Sequence, residues 1–212
     1  VQAVLGTGFF DYLQQHPSQA RDFAAGLRSA TSHFVADAAQ VIDTTDVKLA
    51  VDVGGATGSL LHLLQQANPM LRGIIFDRPN IVDDAVTHTA RKGLAERTTV
   101  VGGDFFEAVP AADLYLLKFI LHDWDDQRCI TILNRCRESM LHGGRIAIVE
   151  LVLGELSNPG FGAVMDMNML AASVGRERSL DEYDALLDAA GLRRTAVLTT
   201  SSPQSVIEAV AA

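Results

Sequence analysis

His122 lies within the segment Lys118-Phe119-Ile120-Leu121-His122-Asp123-Trp124, just past an apolar run over 113–118 that reads as a strand. An imidazole with an ordinary pKa near 6.5 can take up and return a proton close to neutral pH. In open parallel sheets, ligands bind beyond the C-terminal ends of the strands, so the other strand ends deserve the same reading. The run Val51-Asp52-Val53 enters Gly54-Gly55-Ala56-Thr57-Gly58, and Leu60, Leu61, Leu63 and Leu64 then follow at helical spacing. Glycine there lets a ligand lie against bare backbone and a helix N-terminus. The next strand, Gly73-Ile74-Ile75-Phe76, ends at Asp77, whose carboxylate can accept both hydroxyls of a ribose. The third ends at Gly103-Asp104-Phe105-Phe106, an acceptor for an adenine amino group beside a ring that can stack on the base. A fifth run, 145–150, ends at Glu150.

Each feature has a plainer reading. Asp77 alone could be a turn residue before Arg78-Pro79, and Asp104 alone could cap a loop. Asp123, Asp125 and Asp126 suit the start of a helix and read mainly as capping groups. His16, His33, His62 and His88 read as surface or satisfied core residues, and His142 as part of the turn before the fifth strand. It is the ordered series along one rim that argues for a nucleoside site. A dinucleotide fingerprint would need glycine at 54, 56 and 59, where this chain has Gly54, Ala56 and Ser59. The spacing fits better the looser G-x-G-x-G of S-adenosylmethionine sites. A nicotinamide enzyme would use the first two features but has no general need for Asp104. His122 and Asp123 are adjacent and no spaced His/Cys cluster accompanies them, so no metal is expected.

Apolar periodicity supplies the elements that must hold these groups. Residues 1–40 read as helical, with Phe9, Phe10, Leu13, Phe23, Leu27 and Phe34 recurring and Pro17 opening a second segment. Strands are expected at 48–53, 72–77, 98–102, 113–118, 145–150, 193–199 and 205–210. Helices are expected near 58–67, 79–92, 126–141, 163–173 and 179–190. This alternation predicts an α/β fold, Rossmann-like, with a seven-stranded, mostly parallel sheet and helices on both faces. The last two strands, joined by Thr200-Ser201-Ser202-Pro203-Gln204, read as a hairpin that makes the final strand antiparallel. Ser179 and Glu182 form a capping box, Gly191 a helix stop, and Ile130, Leu133, Cys136 and Met140 one helical face.

Composition narrows the partners. The chain has 212 residues, 48% hydrophobic, with a formal net charge of −9, which argues against a nucleic-acid surface. No apolar run approaches the ~20 residues of a membrane helix. Cys129 and Cys136, on one helix, stand roughly 10 Å apart, beyond disulfide reach, and point to a reducing cytoplasm. The opening valine and helical start suggest a piece of a longer protein.

Together these motifs resemble the S-adenosylmethionine-dependent O-methyltransferases related to plant caffeic acid and bacterial polyketide enzymes. They are Gly-Gly-x-x-Gly, Phe-Asp-x-Pro, Gly-Asp-Phe-Phe, Lys-x-x-x-His-Asp-Trp and Gly-x-Glu-Arg-Ser, the last at Gly175–Ser179. The resemblance implies S-adenosyl-L-methionine as cofactor. Gly54, Gly55 and Gly58 would hold its methionyl part, Asp77 the ribose and Asp104 and Phe105 the adenine, with Lys118 close by. It makes His122 the general base, bracketed by Glu150 and Glu177. Trp124, Met165, Asn168 and Met169 would line a small aromatic, hydroxyl-bearing substrate. It further implies that 1–40 leads to an N-terminal dimerisation domain this chain lacks, that 41–212 is the catalytic domain, and that the whole protein is a homodimer. Ala56 departs from the family's middle glycine. The competing expectation is a truncated or non-catalytic cofactor-binding module.

Overall fold

The computed structural model describes residues 6, 7, 9–154, 157, 160–172 and 175–212. Two helices, α1 (Phe9–Gln15) and α2 (Pro17–Val41), precede an alternating series. It runs β1 (Leu49–Val53), α3 (Ser59–Ala67), β2 (Arg72–Asp77), α4 (Val82–Arg91), β3 (Thr98–Gly102) and β4 (Ala112–Lys118). A 3₁₀ turn (Leu121–Asp123), α5 (Asp126–Ser139), β5 (Met140–Leu151), α6 (Gly160–Ala172), α7 (Leu180–Ala189), β6 (Leu192–Thr199) and β7 (Gln204–Ala211) complete it. The strands form one sheet in the order β3-β2-β1-β4-β5-β7-β6. β1 to β5 are parallel, and β7 runs antiparallel to both β5 and β6. The strand order reverses between β1 and β4, the place where such sheets open a crevice.

Period-2 alternation divides the strands between two cores. Val51 and Val53 of β1, Tyr115 and Leu117 of β4, and Ile146 and Ile148 of β5 face α5 and α7. Ala50, Leu114, Leu116, Ala147 and Val149 face the other way, against Val35 and Ala38 of α2 and Leu60, Leu61 and Leu64 of α3. With both faces covered, these strands are nearly continuous apolar runs, which is why they were legible. Each fully buried leucine contributes on the order of 1.5–3 kcal/mol. Pro17 opens α2 within its first turn, and the helix is tied to the hairpin where Ser202 Oγ donates to Asp37 and Gln204 Nε2 donates to the Phe34 carbonyl.

The expected strands lie within a residue of those observed, except at β5. Met140 pairs with Ala112, and the register then jumps to Arg145 opposite Leu114. Residues 141–144 therefore bulge, with Gly143 at φ 80°. His142 is exposed in this bulged start of the strand, not in a turn before it. The buried face of α5 is Cys129, Ile132, Leu133 and Cys136. Met140 has left the helix in extended geometry, so the apolar stripe is rotated by one residue from the expected Ile130–Met140 face. Residue 173, the expected end of α6, lies outside the described residues. Both cysteines are free and buried. No helix among the described residues is long and apolar enough to cross a membrane.

The capping box is formed: Ser179 Oγ accepts from Glu182 N–H at 3.3 Å, and Glu182 Oε2 accepts from Ser179 N–H at 2.8 Å. Ser179→Ala is expected to cost about 1 kcal/mol. For a chain of this size that is a fall of roughly 2–4 °C in the melting temperature, read by differential scanning calorimetry.

Candidate active site

The glycine turn is built for close approach. Gly54 (φ 66°) donates its N–H to the Phe76 carbonyl at 2.8 Å, and a Cβ on it would fall 2.5 Å from Ile120 Cδ1 and 3.7 Å from Phe105. One glycine thus brings the ends of β1, β3 and β4 together. Gly58, at φ 74°, is the left-handed N-cap of α3, and a Cβ there would meet Ile75 at 2.3 Å. Ala56, in the family's glycine position, also takes the left-handed conformation, φ 49°. That conformation costs a non-glycine residue roughly 1–2 kcal/mol.

Asp77 stands beside this turn. Its Oδ2 accepts from Ala56 N–H at 2.8 Å and its Oδ1 from Arg78 N–H at 2.7 Å. Burial raises its pKa, opposed by those two amides. A carboxylate offers about four lone-pair sites, so acceptor capacity remains for a ligand's hydroxyls. Asp104 is exposed and its Oδ1 caps the following turn at Phe106 N–H, 2.8 Å. Phe105 packs edge-on to Phe106, with ring centroids 4.8 Å apart, and to Trp124 at 6.1 Å. Trp124 also meets Phe106 at 4.9 Å and carries the Arg128 guanidinium over its ring. Trp124, expected to line the substrate, thus stands among the aromatics after β3.

After β4 the backbone turns sharply. Phe119, a bulky residue at φ 53°, sets its ring 5.4 Å from the His122 imidazole and at 26° to it. Such a conformation costs on the order of 1–3 kcal/mol and persists only where its surroundings enforce it. Lys118 is largely buried, with its ammonium 5.0 Å from the Phe119 ring centroid. Burial lowers its pKa, against the attraction of Asp52 and Glu150. Asp52 lies beneath the glycine turn, and burial pushes its pKa up to about 7.

His122 is the centre of the cluster. Its Nδ1 lies 3.0 Å from Glu177 Oε1 and 3.7 Å from Glu150 Oε2, and its Nε2 lies 3.8 Å from Asp123 Oδ1. Both glutamate side chains are fully buried. Glu150 Oε1 accepts the N–H groups of Ile120 (3.1 Å), Leu121 (2.9 Å) and His122 (3.3 Å), capping the 3₁₀ turn. Glu177 is held through its own N–H, which donates to Asp166 Oδ1 on α6 at 2.9 Å. Burial by itself would lower the His122 pKa; Glu150, the hydrogen bond to Glu177, and Asp123 outweigh it and hold the imidazole at about 9. Burial likewise pushes Glu150 to about 7 and Asp123 to about 6. Near neutral pH the ring is therefore an imidazolium. His122, Glu150 and Glu177 each offer one atom within 4.8 Å of the others, a donor set that could also hold a divalent ion.

On α6, Met165 is partly buried, Met169 is buried and Asn168 is exposed, its Nδ2 donating to Met165 Sδ at 3.6 Å. Phe161, Val164, Met167 and Leu170 form an exposed apolar stripe along the same helix. Three residues of the site carried no readable role in the sequence. Gly175 lies so close to the loop that a Cβ would fall 1.8 Å from the His122 carbonyl oxygen. Phe119 is strained, and Arg178 is fully buried beneath the same loop. The Gly-x-Glu-Arg-Ser spelling was visible, but burial of its arginine was not. An open hollow of about 780 Å³ lies elsewhere, between α2 and α3 near Thr44 and Asn68, away from all these groups.

A family model described as an O-methyltransferase domain matches residues 1–193. The phenazine O-methyltransferase of Lysobacter antibioticus is 42% identical over 208 residues, 96% of this chain and 60% of that protein. The 3-amino-4-hydroxybenzoate 4-O-methyltransferase of Streptomyces cremeus is 37% identical, over 92% of this chain and 54% of that one. An O-methyltransferase from neocarzinostatin biosynthesis, solved with S-adenosylmethionine and 2-hydroxy-5-methyl naphthoic acid, superimposes with a TM-score of 0.89. It is 33% identical, and the match covers 100% of this chain and 63% of that one. The chain thus spans less than two thirds of the length of each of these proteins.

Nuclear magnetic resonance should find His122 titrating near pH 9, and Glu177→Gln should lower that value by about 1–3 units through loss of the paired charge. The folded protein holds this proton more tightly than the unfolded chain, whose histidine titrates near 6.5. The resulting stabilisation is complete below pH 6.5 and is lost as pH rises through 9. Urea unfolding between pH 7 and 9.5 should show that decline, and His122→Ala should remove it.

Proposed function

The chain belongs to the O-methyltransferase family, and on that premise we propose that it carries the catalytic part of an enzyme that methylates a hydroxyl of a small aromatic substrate, with His122 as general base. The observation that carries the proposal is the His122–Glu177 contact of 3.0 Å at the rim that also holds Gly54, Asp77 and Phe105. The cofactor of this family, S-adenosylmethionine, supplies a methyl group bonded to a positively charged sulfur. In the proposal, the bare backbone at Gly54, Gly55 and Gly58 admits its methionyl part, Asp77 takes the ribose, Asp104 and Phe105 the adenine, and Lys118 stands nearby. The left-handed glycines, the spare lone pairs of Asp77 and the ring against Gly54 fit such a group.

His122 has to accept the proton of the attacking hydroxyl. A phenol has a pKa near 10 and an ordinary histidine near 6.5, so transfer would be uphill by about 3.5 units, roughly 4.8 kcal/mol. With the imidazole held at about 9, the gap shrinks to about one unit, or roughly 1.4 kcal/mol. The cost is availability, since only a few per cent of the ring, on the order of 3% at pH 7.5, is then neutral. A cation bound in the same crevice disfavours the imidazolium and restores part of that fraction. Glu177 orients Nδ1–H, leaving Nε2 to face the proton. Met165, Asn168 and Met169 of α6 belong to the proposed substrate wall, because Asp166 on that helix holds the Glu177 backbone. The names of the relatives, a phenazine enzyme and a hydroxybenzoate enzyme, favour a fused or substituted aromatic acceptor. The division into 1–40 and 41–212, and a homodimer for the whole protein, belong to the same proposal. The exposed apolar stripe on α6 supports a further protein surface closing over that helix.

His122→Ala should leave calorimetric S-adenosylhomocysteine binding intact while lowering methylation of a phenol and naphthol panel by about 10²–10⁴-fold, read as mass gain. Wild-type turnover should rise with pH toward a plateau at or below about 9; a variant matching it across pH 6–9 would remove His122 from the base role. Asp77→Ala should weaken S-adenosylhomocysteine binding at least tenfold, and unchanged affinity would refute the ribose assignment.

A further inference from the structure

Arg178 follows Glu177 directly, yet its side chain is wholly inaccessible to solvent. A buried guanidinium needs acceptors for its donors, and those beyond its own segment lie on the loop that carries His122 or at Asp126, where α5 begins. Nη1 donates to the Leu121 carbonyl at 2.9 Å, and Nη2 donates to the Trp124 carbonyl at 2.7 Å. Nε and Nη2 both donate to Asp126 Oδ1, at 3.1 and 2.8 Å. The remaining short contact is to the Arg176 carbonyl at 3.4 Å. Cys129 Sγ donates to the same Leu121 carbonyl at 3.1 Å. The backbone of Arg178 is itself anchored, since its carbonyl accepts from Leu153 N–H at 2.9 Å beside the end of β5.

The loop is therefore held at both ends of its short turn. Glu150 takes the amides of Ile120, Leu121 and His122, and Arg178 takes the carbonyls that follow. A negative group at the amide end and a positive group at the carbonyl end match the dipole of the turn. Glu177 and Arg178, adjacent in the chain, thus grip one loop at its side chain and at its backbone.

We propose that Arg178 is a positioning residue, whose forked guanidinium fixes the Leu121–Trp124 backbone and so keeps His122 Nδ1 against Glu177. The inference deepens the reading of His122 as base and rests on it. A lysine has the charge but not the planar fork, so Arg178→Lys loosens the loop while leaving the local field nearly unchanged. Asp123, Glu150 and Glu177 remain the charged groups facing the imidazole.

The test uses the 212-residue chain, with S-adenosylhomocysteine calorimetry and proton and nitrogen resonance of His122 as readouts, neither of which requires turnover. In R178K, binding should stay within about threefold of wild type. The downfield Nδ1–H signal of the hydrogen bond to Glu177 should weaken or vanish, and the His122 pKa should fall by about one unit. A purely structural arginine would lower the melting temperature without moving the imidazole signals. An R178K protein that binds normally and keeps the wild-type Nδ1–H signal and pKa overturns the proposal. Should R178K fail to fold, Asp126→Ala decides by the same signal, since it removes the oxygen that accepts from Arg178 Nε and Nη2 at a half-exposed position. Loss or broadening of the Nδ1–H resonance supports the proposal, and a wild-type resonance overturns it. Loss of methylation in His122→Ala is a separate measurement, so failure of the base assignment and failure of the Arg178 inference are distinguishable.

Discussion

Two carboxylates buried without solvent, Glu150 and Glu177, converge on one imidazole. Isolated ionised carboxylates in such surroundings are strongly unfavourable, so the local structure is organised to compensate them. Three backbone amides converge on Glu150 Oε1, a proton stays on His122, and a buried guanidinium holds the loop between them. The ring is thereby fixed in orientation and raised in basicity by the same contacts. Stability and the proposed chemistry thus draw on the same groups.

The sheet supplies the frame for this arrangement. Because the strand order reverses between β1 and β4, the turns after those strands diverge to opposite faces and leave a crevice between them. Gly54 and Ile120 close its floor, near enough that any side chain at Gly54 would collide. Asp77 and Phe105 arrive from the neighbouring corners, and β5 delivers Glu150 from the other side. The antiparallel β7 leaves that rim undisturbed while sealing β5 against solvent. Conformational strain is concentrated here: Ala56 and Phe119, the non-glycine residues with positive φ among those described, both lie on this rim.

The strands were legible because strands covered on both faces leave nearly unbroken apolar runs, as Val51–Val53 and Leu114–Leu117 show. β5 was less so, since the bulge at 141–144 is created by pairing with β4 and leaves no local signature. The shifted face of α5 has a similar cause: whether Met140 belongs to the helix or the strand depends on Ala112 across the ladder. The contacts of Trp124 with Phe105 and Phe106 have the same origin, since they exist only where the corners after β3 and β4 meet.

From its residues alone the chain determined the order of elements, the rim on which Gly54, Asp77, Asp104 and His122 fall, and the family they resemble. Strand ends and glycine turns are local, and local patterns survive in a linear reading. The resemblance paired Glu177 with His122, but only the tertiary structure set the contact across those 55 positions at 3.0 Å. It alone placed Arg178 beneath the loop, and it alone raised the imidazole to about 9. Those facts depend on desolvation and on distances between segments far apart in sequence, which residue order by itself does not encode.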